Sequence, residues 1–213
     1  MIPNRKVLED RPYSFSEVFQ LNIPAADLLP ALGYGFTREF IDFPGIQPVD
    51  VSSLEQEFRE VLPYTDLNNE QARRETIVSS IVKFLVRRLQ CRLSYEYSIQ
   101  SPRFYGNIDY FLQKQFQVVV IEAKRDDLEN GFNQLAAELI ALDCSDYADD
   151  SQTTLVGFLT TGTLWQIAAL HRQTSNIVLS LNTYRVPEDL QTLVPILISS
   201  LQSPDNAAPP LPT

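Results

Sequence analysis

Residues 116–123, Phe-Gln-Val-Val-Val-Ile-Glu-Ala, constrain this chain more than any other segment. Three valines and an isoleucine in succession leave no polar face before the glutamate. The segment therefore reads as a central strand covered by protein on both sides. Such a strand needs a neighbour along each edge and a layer over each face, which points to a sheet flanked by helices. The run ends in charge, Glu122-Ala123-Lys124. Residues i and i+2 of a strand share a face, so the acid and the amine emerge side by side.

The flanking pattern fits that frame. A helix is expected from Asp66 or Asn68, either of which can cap it, to about Gln90. Ile77, Val78, Ile81, Val82, Phe84, Leu85 and Leu89 form its apolar stripe. Residues 92–99 alternate through Leu93, Tyr95, Tyr97 and Ile99 as a half-buried strand does. Residues 105–112 form the next strand, entered through Gly106, and polar residues 113–115 form a hairpin turn into the apolar run. A helix opening at Asp126 or Asp127 runs to about Leu142, with Phe132, Leu135, Ala136 and Leu139 facing inward. Strands follow at 153–160, 164–171 and 177–184, then a helix from Pro187 to about Leu201. The order from residue 66 is α-β-β-β-α-β, and the fold class is α/β (α+β) with a central mixed sheet.

Residues 1–65 contain seven prolines and many aromatics. They read as an N-terminal arm or small subdomain packed on a core of 66–202, with a helical turn at 14–19 capped by Ser14 or Ser16, another at 25–32, a strand at 36–43 and a helix at 51–62. In the last of these Ser52 or Ser53 is the expected cap. Residues 203–213, Ser-Pro-Asp-Asn-Ala-Ala-Pro-Pro-Leu-Pro-Thr, read as a disordered tail.

Composition narrows the function classes. No apolar stretch is long enough for a membrane span, and the N-terminus lacks a signal-peptide pattern. Cys91 and Cys144 are isolated and His171 is the only histidine, so Cys/His zinc sites are not expected. A reduced, cytoplasmic setting is the expectation, with a disulfide left open. The net charge of −10 is awkward for nucleic-acid binding. It is unevenly spread, however. Residues 68–92 carry Arg73, Arg74, Lys83, Arg87, Arg88 and Arg92 against Glu70 and Glu75, whereas residues 126–152 carry eight acids and no base.

Charge at the end of a buried strand is costly unless it serves something. If residues 105–112 and 116–123 form a hairpin, Asp109 pairs near 119–121 and comes within reach of Glu122. Two carboxylates there suit Mg²⁺, a hard cation that prefers oxygen ligands, or Mn²⁺ in its place. The pattern Asp109 … Glu122-Ala123-Lys124, with twelve residues between the two acids, resembles the PD-(D/E)XK nuclease superfamily, the restriction-endonuclease-like enzymes. It is similar to the RecB-like and type I restriction nuclease domains. Gln134 on the following helix and the segment Asn69-Glu70-x-x-x-Arg74-x-x-Ile77-Val78 fit the same resemblance. So does Thr160-Thr161-Gly162-x-x-Trp165. Ile108 stands where the family name has proline, and Glu138 stands where some members carry a tyrosine four residues after the glutamine.

The resemblance implies a restriction-endonuclease-like core and Mg²⁺-dependent hydrolysis of phosphodiesters, in DNA. It assigns metal binding to Asp109, Glu122, the Ala123 carbonyl and Glu70, with Glu75 a rival to Glu70. Lys124 would position the attacking water, and Gln134 would orient the substrate or the lysine. Arg73, Arg74 and Arg125 are candidates for substrate phosphates. Partners would be DNA and, by analogy, a second copy in a homodimer. The other reading is a catalytically silent module of the same fold that binds a protein through its acidic surface.

Overall fold

The computed structural model describes residues 8–43, 45–114, 117–123, 128–145 and 151–202, with 117–120 and 122–123 described by their strand backbone. The expected tail, residues 146–150 of the acidic loop and the helix cap at Asp126 or Asp127 lie outside the described residues.

The apolar run becomes β5 (Gln117–Ala123). It lies between β4 (Phe104–Lys114), which is antiparallel to it, and β6 (Thr154–Thr160), which is parallel. A parallel neighbour requires a crossover, and α6 (Leu128–Asp143) supplies it. β7 (Leu164–His171) and β8 (Asn176–Arg185) extend the sheet as antiparallel neighbours. β3 (Arg92–Gln100) pairs antiparallel with β4. The N-terminal segment adds β1 (Tyr13–Ser14), parallel to β4, and β2 (Gly35–Glu39), parallel to β8. Together these make one mixed sheet of eight strands.

Each face of the sheet carries its own helical layer and apolar core. One core joins α6 to α1 (Phe15–Gln20) and α2 (Ala25–Ala31). The other holds α3 (Ser52–Val61), α5 (Ser79–Leu89) and α7 (Leu190–Ser199). The expected mixed α/β sheet with flanking helices is thus present.

Helix α6 is more deeply placed than a single inward stripe implies. Every residue from Gly131 to Leu142 is buried, because the N-terminal segment covers the side turned away from the sheet. Phe36 meets Phe132 with ring centroids 5.4 Å apart, and Asn133 Nδ2 donates to the Ile23 carbonyl at 2.8 Å. Helix α1 is fixed for this task by a reciprocal cap. Ser14 Oγ accepts from the Glu17 N–H at 3.1 Å, and the Glu17 carboxylate accepts from the Ser14 N–H at 2.7 Å.

Several local expectations shift. The long helix is capped by Asn69, whose side chain accepts from the Ala72 N–H at 2.8 Å, and not by Asp66 or Asn68. It runs as α4 (Glu70–Arg73), a wider π-helical turn (Arg74–Val78) and α5, and stops where Gln90 turns left-handed. Helix α3 has Val51 at its cap position and no side-chain cap, and the Asp50 carboxylate just before it accepts from both the N–H and the hydroxyl of Ser52. Of the expected hairpin turn at 113–115, residue 115 lies outside the described residues. Gln113 and Lys114 are strand residues paired with Val118 and Gln117, since extending the ladder satisfies their backbone groups. The strand expected at 36–43 is limited to β2, the length that β8 can pair. Cys91 and Cys144 are both free thiols. Among the described residues, no helix is long and apolar enough to cross a membrane.

His171, at the end of β7, is buried, with Nδ1 3.2 Å from Thr154 Oγ1. Burial pushes its pKa below the ordinary 6.5, against an opposing pull from Glu39. The unfolded chain therefore takes up this proton at a higher pH than the folded chain. Stability that is full above about pH 6.5 is lost as pH falls toward the folded value. His171 is the only histidine, so it is the one side chain ordinarily titrating in this range. Denaturant midpoints measured from pH 7.5 to 5.5 should fall for the wild type and stay nearly flat for His171→Gln; parallel slopes would assign the loss elsewhere.

Candidate active site

The ladder between β4 and β5 reaches Tyr110–Ile121 at this end of the sheet, while β5 continues to pair with β6 as far as Ala123–Thr160. One step further, the register sets the backbone of Asp109 opposite that of Glu122. Sequence reasoning had placed the partner of Asp109 at 119–121. The shift follows from the ladder, which runs on through Gln113 and Lys114. Strands β4 and β5 thus stop pairing where the two acidic positions face each other.

A second break lies on the other edge of β4. Its ladder with β3 contains Tyr95–Tyr110 and Tyr97–Ile108, and skips Glu96 and Asp109, which stand opposite each other between those pairs. Glu96 has φ +47°, a left-handed conformation that is uncommon for a glutamate inside a strand. The side-chain alternation reverses here on both strands. Tyr95 and Tyr110 meet with ring centroids 5.5 Å apart, Tyr110 belonging to the α5 core, whereas Tyr97 stacks on Phe111 at 4.4 Å in the α6 core. On β4, Ile108 joins the α6 core and Tyr110 the α5 core. Asp109 is the residue at which the strand changes faces.

Asp109 is reached from both layers. From the α5 side, Arg74 Nη1 approaches its Oδ1 at 3.4 Å, while Nη2 donates to Glu96 Oε1 at 3.2 Å. Arg74 begins the π-helical turn, a helix irregularity often found at functional sites. Its guanidinium carbon lies 5.6 Å from the Tyr110 ring centroid. Burial alone would lower the Arg74 pKa, but Asp109, Tyr110 and Glu96 outweigh it and hold the guanidinium charged. Burial pushes the Tyr110 hydroxyl up, partly offset by Arg74. From the α6 side, Asp109 lines a pocket of about 340 Å³ with Glu96, Asn107, Gln134 and the start of α1, Ser14 to Ser16. Gly106 permits this closeness: a Cβ there would stand 2.7 Å from the Phe15 ring.

The other expected residues divide. Gln134 is brought to Asp109 by the shared pocket. Glu122 and Ala123 are placed by backbone register alone, and Lys124 and Arg125 lie outside the described residues. Glu70 opens α4 and Glu75 is exposed on the π-helical turn. The contact with Asp109 from this helix comes from Arg74. Arg73 serves the fold: its Nη1 donates to the Leu67 carbonyl at 2.9 Å, and its side chain packs against Gly162. Gly162 has φ +94° and accepts from Trp165 Nε1 at 2.9 Å, so the Gly-x-x-Trp segment is a turn closed by its own indole. Among the described residues, no group of three His, Cys, Asp or Glu side chains stands close enough to hold a metal ion.

Two residues escaped the sequence reading. Glu96 falls on the polar phase of an alternating strand, so it reads as a solvent-facing side chain, and its left-handed backbone leaves no trace in composition. Glu138 is wholly buried and accepts from Gln134 Nε2 at 2.9 Å. Its position, four residues after Gln134 within an apolar run, was a legible signal.

Compared with protein-family models, curated proteins and solved structures, the chain finds no match.

Arg74 and Asp109 have side chains 25% and 13% exposed, so the pair is largely withdrawn from water. Arg74→Met should cost about 1–3 kcal/mol in urea denaturation, the usual penalty for leaving a buried polar group without its partner. The double variant Arg74→Met/Asp109→Asn should recover most of the loss, because it removes the uncompensated charge. Equal stability of wild type and Arg74→Met would show that the pair contributes nothing.

Proposed function

We propose that the protein is a metal-dependent nuclease that hydrolyses phosphodiester bonds in DNA, with a PD-(D/E)XK-type site. The observation that carries this reading is the register that sets Asp109 opposite Glu122 where β4 and β5 stop pairing, with Gln134 lining the same pocket as Asp109. The order of elements and the sheet flanked by helices support it.

Carboxylate oxygens suit a hard divalent ion. Asp109, Glu122 and the Ala123 carbonyl would hold Mg²⁺, or Mn²⁺ in its place, with Glu70 completing the set as the resemblance implies. When bound, the ion supplies Lewis acidity at the phosphate and a more acidic water. Lys124 orients that water or meets developing negative charge. Arg74 and, as the resemblance implies, Arg125 would be cations available to a phosphate backbone. The exposed Lys83, Arg87 and Arg88 on α5 give this otherwise acidic chain a basic stripe.

One observation favours the second reading, a silent module that binds a protein. Arg74 already neutralises Asp109 and Glu96 without a metal. Calorimetric titration with Mn²⁺ and a duplex cleavage assay, on wild type, Asp109→Ala and Glu122→Ala, separate the two. The nuclease reading expects binding and cleavage by the wild type and neither by the variants. A wild type that binds no Mn²⁺ at millimolar concentration and leaves DNA intact would point to the protein-binding module.

A further inference from the structure

Helix α6 carries three buried polar side chains in mid-helix, Asn133, Gln134 and Glu138. Asn133 has a structural duty, anchoring the N-terminal segment through the Ile23 carbonyl. Glu138 is harder to account for. A carboxylate with 0% exposure inside a helix is costly unless it is hydrogen-bonded. Its contact at 2.9 Å with Gln134 Nε2 joins residues four apart on one helix face. Gln134 lines the pocket that holds Asp109 and Glu96, and Glu138 does not. Glu138 therefore stands behind Gln134, one layer further from the pocket.

A glutamine amide can turn over and exchange its oxygen for its nitrogen. Here a Glu138 carboxyl oxygen accepts from Nε2, which fixes the amide with Nε2 toward Glu138 and Oε1 away from it. Resting on the nuclease reading, we infer that Glu138 is a positioning residue that pins the Gln134 amide so that Oε1 is presented to the pocket. This narrows what Gln134 does. An amide oxygen accepts hydrogen bonds, so its partner in the pocket is a donor, such as the attacking water or an ammonium. A phosphate oxygen is itself an acceptor and is not the partner. Gln134 then orients the nucleophile or the lysine and does not grip the substrate.

The test uses the full chain and four proteins: wild type, Glu138→Gln, Gln134→Leu and the exchanged pair Gln134→Glu/Glu138→Gln. Measured are kcat and KM on duplex DNA with Mg²⁺, Mn²⁺ affinity, melting temperature and the NMR signal of the Gln134 side-chain amide. Glu138→Gln keeps the shape and lets the amide turn over. It should lower kcat about 10–100-fold, the range typical of partners that orient metal-site groups. KM and Mn²⁺ affinity should stay within about twofold, and the Gln134 amide signal should move. Gln134→Leu should match or exceed that loss. The exchanged pair restores the internal hydrogen bond with an acceptor at position 134, and should regain most of the lost kcat. An unchanged kcat and amide signal in Glu138→Gln overturn the inference while leaving the nuclease reading intact. A kcat loss that tracks the melting temperature and is not regained by the exchange overturns it as well, since the residue is then only structural. A wild type that neither binds Mn²⁺ nor cuts overturns both.

Discussion

Strand β4 sets the terms for the rest of the molecule, because its backbone is shared among three neighbours. β3 pairs along nearly its whole length, β5 takes residues 110–114 of the other edge, and β1 takes Phe104 and Tyr105. The residues between those last two ladders face no described strand on that edge. A backbone without a ladder partner needs some other acceptor or water, and it leaves room for a ligand. Asp109 sits at this interruption, where the strand also changes the face to which its side chains point.

The interruption is stabilised from both sides. The α5 layer supplies Arg74, which neutralises two acids that would otherwise repel each other across the β3–β4 pair. The α6 layer supplies Gln134, backed by Glu138, and the start of α1 closes the pocket. Glu96 holds a left-handed conformation in mid-strand, and strain of that kind persists only when the surroundings fix it. Rigid supports on both faces do that. The N-terminal segment also contributes to this arrangement, since α1 and α2 cover α6 and keep Gln134 and Glu138 away from water.

Much of this was legible residue by residue. The run of three valines and an isoleucine announced a two-faced central strand. The stripe from Ile77 to Leu89 marked the long helix, and Ser14 was one of two serines that could cap α1. Asp109 and Glu122 were singled out by spacing and charge, and Gln134 by the family resemblance. The cap of the long helix was misplaced because Asn69 has rivals of similar chemistry at Asp66 and Asn68. Local sequence does not say which oxygen reaches the open N–H. The single stripe assigned to α6 was too narrow because a second covering layer arrives from more than a hundred residues earlier in the chain.

The sequence by itself determined the element types, their order and the central place of β5. Those follow from hydrophobic period and β-branching, which act locally and are written along the chain. The tertiary structure alone decided that the backbone of Asp109 lies opposite that of Glu122, that Glu96 turns left-handed opposite Asp109, and that Arg74 joins Glu96 and Asp109 on β3 and β4. Register depends on where the hairpin turn falls, and a shift of one residue would send every side chain to the other face. Only the pairing of whole strands fixes it.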